Sequence, residues 1–118
     1  MLSEAIPMDF QRKRRRLPSD SLRRALQELA ESQATIVDHK ERSWASITFA
    51  GTRHQLDLVF EGAAAVEAAE RFITNLPEHL FHIPGQLVAD ATVISVDHQL
   101  GPEPRMQVCT EVLLLEDN

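Results

Sequence analysis

Cysteine, glycine and long apolar runs are all scarce in this chain, and each scarcity excludes something. A single Cys109 rules out an intramolecular disulfide, and its place in a β-branched run predicts a small buried hydrophobe. The four glycines, Gly51, Gly62, Gly85 and Gly101, stand singly and far apart, against both phosphate-cradling and dinucleotide-binding loops. No serine sits in a G-x-S-x-G elbow. No apolar run approaches the roughly 18 residues of a membrane span, and the N-terminus lacks the apolar core of a secretory signal. A cytoplasmic location is the default expectation. Met1 and Met8 both stand as candidate starts.

What is present is ordinary in amount and uneven in distribution. In 118 residues, hydrophobic content is 43% and charged content 25%, enough for one domain with its own core. The net charge of −6 divides sharply: residues 1–24 carry a balance of +4, and the remaining residues one of −10. The basic excess is concentrated in Arg12, Lys13, Arg14, Arg15 and Arg16. Five like charges in a row repel one another, so residues 1–17 read as a flexible basic arm and residues 18–118 as a single α+β domain.

Periodicity places the elements of that domain. Leu22, Ala25, Leu26, Leu29 and Ala30 form one helical stripe, predicting a helix from about Ser19 to Ser32, with Ser19 or Asp20 as its cap. Ala34–His39 is a strand candidate, Lys40–Arg42 a polar turn, and Ser43–Ala50 a second strand. Gly51-Thr52 then reads as a hairpin turn into His54–Glu61. Ala65, Val66, Ala69, Phe72, Ile73 and Leu76 set a second helix over Gly62–Leu76, stopped by Pro77. Two β-branched runs, Leu87–Val96 and Met106–Leu115, flank the breakers Gly101, Pro102 and Pro104 and predict a closing hairpin. The expected order is α-β-β-β-α-β-β: a five-stranded, largely antiparallel sheet with two helices on one face. Residues 19–76 thus follow the element order of double-stranded-RNA-binding domains. The basic cluster those domains place at the second helix is replaced here by Gly62-Ala63-Ala64-Ala65-Val66-Glu67.

Apolar residues fall on both faces of Leu87–Val96, so the closing hairpin is expected in mid-sheet with both faces covered. The helices cover one face. For the other, Trp44, Val59, Leu113 and Leu115 are the candidate oligomer residues, and a symmetric homodimer is the expected partner.

The chemistry-bearing residues are sparse. His79 and His82 form an H-x-x-H pair that, with His98, outlines a possible pocket or metal site, although zinc requires three or four convergent ligands. Asp38-His39 and Asp97-His98 are neighbours in sequence, which in a strand point to opposite faces; pairing Asp38 with His98 requires the strand ends to meet. Asp57 and Asp90 each sit in an otherwise apolar strand and need a partner or solvent. No cofactor is expected. The leading expectation is a non-catalytic homodimeric interaction or assembly module. The alternatives are nucleic-acid or other polyanion binding through Arg12–Arg16, and a small ligand-binding protein or enzyme with a histidine-lined pocket.

Overall fold

The computed structural model describes residues 17–117. Helix α1 spans Pro18–Leu29, with Leu17 rather than Ser19 or Asp20 at the cap position. Proline needs no hydrogen bond for its nitrogen and has φ preset for a helix, so Pro18 starts α1 one residue before the hydroxyl and carboxylate candidates. Glu31 and Ser32 close the helix with φ near +60°, and the Ser32 N–H donates to the Gln27 carbonyl at 2.8 Å. Gln27 Nε2 then donates to the Ala34 carbonyl at 2.7 Å, tying the helix to the first strand.

The sheet has four strands, not five: β1 (Ala34–Ala45), β2 (Ala50–Glu61), β3 (Gln86–Gln99) and β4 (Arg105–Glu116). Strand β1 runs straight through Lys40–Arg42. Those residues are polar but include none of the glycine, proline, asparagine or aspartate that favours a turn, and charged side chains suit an edge strand. The chain reverses instead at Ser46–Phe49, where the Ser46 N–H donates to the Phe49 carbonyl at 2.7 Å. Gly51 accordingly lies inside β2, opposite Trp44 and Leu115. A Cβ there would run into the Leu114 carbonyl and come within 2.9 Å of Leu115 Cα, so close backbone approach, not turn geometry, calls for glycine.

All pairings are antiparallel, in the order β1-β2-β4-β3. Only β4 of the closing hairpin is interior; β3 is an edge, which corrects the mid-sheet expectation. The element order is α-β-β-α-β-β.

Helix α2 spans Ala63–Asn75. Gly62 precedes it at φ +99°, a left-handed value that favours glycine, and donates its N–H to the Pro104 carbonyl at 2.9 Å. A short 3-10 turn, Leu76–Glu78, follows at Pro77. Leu22 and Leu26 from α1, Ala30 at its C-terminal cap, and Ala65, Val66, Ala69 and Phe72 from α2 enclose Leu56, Leu58, Phe60, Met106, Val108, Val112 and Leu114 of the sheet. Each fully buried leucine or phenylalanine contributes about 1.5–3 kcal/mol. Both helices therefore lie on one face.

Strand β3 sets Val88, Ala91, Val93 and Val96 on that same face and leaves Leu87 on the other. Its register slips at Ala89 and at Ile94, each an extra residue relative to β4. Val88, Ala91, Val93 and Val96 thereby oppose Leu114, Val112, Thr110 and Val108, the helix-facing set of β4. Two bulges replace the strict alternation that had put apolar groups on both faces.

Candidate functional site

The face away from the helices is built in rows across the sheet. Trp44, Gly51, Leu115 and Leu87 stand side by side, followed by Arg42, Arg53, Leu113 and Asp90, then Lys40, Gln55, Glu111 and Thr92. Next come Asp38, Asp57, Cys109 and Ser95, and after them Thr35, Val59, Gln107 and Asp97. This face is apolar at one end and polar through its middle. Arg53 donates to Glu111 Oε1 at 3.2 Å, and Gln55 Nε2 lies 3.5 Å from Cys109 Sγ. Burial, with the neighbouring Asp57 carboxylate, pushes the Cys109 thiol up to about 11, so it stays protonated and un-nucleophilic at neutral pH. Asp57 Oδ1 is buried with no hydrogen-bond partner among the described residues.

The four expected oligomer residues belong to this face, but three of them are largely out of water: Val59 is 5% exposed, Leu113 7% and Leu115 9%. Trp44 is half-buried. Accessible apolar surface adjoins the Trp44 row, where the tip of the β1–β2 hairpin meets the start of β3. There Ile47 is fully exposed, and Phe49 and Leu87 are about half exposed. With Glu116 and Asp117 they line a groove of about 420 Å³.

On the helix side, at the β1 edge, two histidines meet. Val37 is an extra residue in β1: Ile36 pairs with Leu58 and Asp38 with Asp57. That bulge turns His39 and Glu41 toward α1 and places Glu41 directly opposite His54. His39 Nε2 lies 2.9 Å from His54 Nδ1 and 4.0 Å from Glu41 Oε2, while Arg23 of α1 reaches His39 Nδ1 at 3.2 Å. A guanidinium only donates, so His39 Nδ1 accepts and its Nε2–H donates to His54 Nδ1. His54 is 2% exposed. Burial lowers the pKa of both imidazoles; for His39 the Glu41 carboxylate opposes that shift and Arg23 reinforces it. Glu41 and His54, with Leu17, Ser19, Thr52 and Glu116, line a cavity of about 330 Å³.

His79, His82 and His98 are all exposed. The His79 ring meets Phe81 edge-on at 4.5 Å in the loop before β3, whereas His98 lies near the far end of β3, opposite Met106. Among the described residues, the one group bringing three histidine, cysteine or carboxylate ligand atoms within 4.8 Å is His39, Glu41 and His54. Asp38 and His98 occupy opposite edges of the sheet. Asp90 is exposed on the open face. Arg12–Arg16 lie outside the described residues. No helix among the described residues is long and apolar enough to cross a membrane.

No family model matches the sequence. No curated protein matches it either. The fold does have a counterpart among solved structures, a chain in the virion of a native gene transfer agent particle. The two share a TM-score of 0.57 at 11% identity, over 83% of this chain and 91% of that one. Identity this low shows a common fold.

Proposed function

We propose that the protein is a non-catalytic assembly module that packs against further copies of itself. The observation carrying this reading is the hairpin tip. Ile47, Phe49 and Leu87 present apolar side chains to water together, lining one groove in continuity with Trp44 and Leu115. Placing such a cluster in water is unfavourable by about 25 cal/mol per Å² of apolar area, a penalty that a second copy relieves. The virion chain of like fold comes from a multi-subunit particle, which supports the same reading. The protonated thiol of Cys109 and the closed Arg53–Glu111 pair leave the open face poorly equipped for nucleophilic chemistry.

Sedimentation equilibrium over a wide concentration range tests the proposal. A dimer or larger multiple of the 13.3 kDa chain is expected. A clean monomer at the highest concentration overturns it.

A further inference from the structure

We propose that His39, Glu41 and His54 bind a divalent first-row transition-metal ion, a property independent of the assembly reading. The argument begins with the sheet. His39 and Glu41 are two apart in β1, so they share a face, and His54 is the cross-strand partner of Glu41. Cross-strand partners hold their Cβ atoms about 4.5–5.5 Å apart, close enough for two ligands to meet one ion. The ligand atoms already lie within 4.8 Å of one another on a paired backbone.

The ligand types and spacing define the ion. Two imidazole nitrogens and a carboxylate oxygen suit zinc, cobalt, nickel or ferrous iron over calcium or magnesium. Nitrogens bound at about 2.05 Å stand about 2.9 Å apart when cis at a right angle, and about 3.3 Å apart at a tetrahedral angle. The observed separation is 2.9 Å. The two imidazole nitrogens therefore match one edge of an octahedron, and Glu41, 4.0 Å from His39 Nε2, closes the face when it rotates in from the cavity it lines with Ser19, Thr52 and Glu116.

Binding must displace what holds the site now. The proton on His39 Nε2 moves to Nδ1 as the ion takes Nε2, so the ring stays neutral and no net proton is released from it. A protonated Nδ1 no longer accepts from Arg23, and the guanidinium must swing away from its 3.2 Å contact. Arg23 is thus a competitor for the site, through both its hydrogen bond and its charge. Glu41, half exposed at the rim, has only to rotate inward.

The test uses the untagged, chelator-treated full chain titrated with Zn²⁺, Ni²⁺ and Co²⁺ chloride, read by calorimetry and thermal shift. The wild type is expected to bind one ion per chain and to gain several degrees in Tm at saturation. His39→Gln should abolish the shift. Because His39 and His54 are packed beneath α1, Glu41→Gln provides a second variant at the rim that retains the fold and weakens Kd at least tenfold. Arg23→Met should tighten Kd severalfold, an effect that a purely structural histidine pair does not produce. The absence of a wild-type response to all three ions overturns the proposal. So does a response unchanged in both His39→Gln and Glu41→Gln.

Discussion

Two neutral imidazoles sharing a hydrogen bond form a contact that acid destroys. His39 and His54 face Arg23 from α1 and Glu41 from β1, His39 also feels the charges of Asp20 and of Asp38 on the opposite face, and burial holds both rings below the ordinary value of 6.5. The unfolded chain consequently takes up protons at a higher pH than the folded one. Stability from this source is complete above about pH 6.5 and is lost as pH falls through the lower folded values. Urea midpoints measured between pH 7.5 and 5 should drop more steeply for the wild type than for a His39→Gln/His54→Gln double variant. Parallel profiles would show that the pair does not titrate as its burial implies. A contrasting buried group is Thr110, fully enclosed yet satisfied, its hydroxyl donating to the Leu56 carbonyl at 3.1 Å. It does not titrate, and its hydrogen bond carries no pH dependence.

Single extra residues decide which side chains share a face of the sheet. Val37 in β1, and Ala89 and Ile94 in β3, each shift the alternation by one. A one-residue shift sends every following side chain to the other face, and periodicity alone carries no sign of where such a shift occurs. Reading Lys40–Arg42 as a turn had the same effect on the site: it placed His39 and Glu41 on a strand end and in a loop, and left His54 unrelated to either. The available signal was the absence of turn-forming residues at 40–42, which argues for one continuous strand. Deleting Val37 and Asp38 together sets His39 opposite Asp57, and is expected to drive His39 and Glu41 to the open face and Lys40 toward α1. The result should be a Tm many degrees lower and, in whatever folded protein remains, no metal-dependent shift. Wild-type stability in that variant would show that the register of β1 against β2 has no such role. The helices were far more legible, because Leu22–Ala30 and Val66–Leu76 keep a 3.6-residue period that needs no partner strand to interpret.

At the scale of the whole molecule the question is what meets the apolar hairpin tip. An Ile47→Asp/Leu87→Asp variant should retain the wild-type Tm within a few degrees, since neither side chain belongs to the core. It should also sediment as a monomer; unchanged association would move the contact away from the tip, to a sheet edge. Local chemistry in the sequence determined the α+β class, both helices, the closing hairpin and the exclusion of phosphate-loop and disulfide architectures, because these rest on neighbours along the chain. Only the tertiary structure decided the number of strands, the order β1-β2-β4-β3 and the faces on which side chains meet. Those outcomes depend on register between segments far apart in sequence, where one bulge outweighs an entire pattern of alternation.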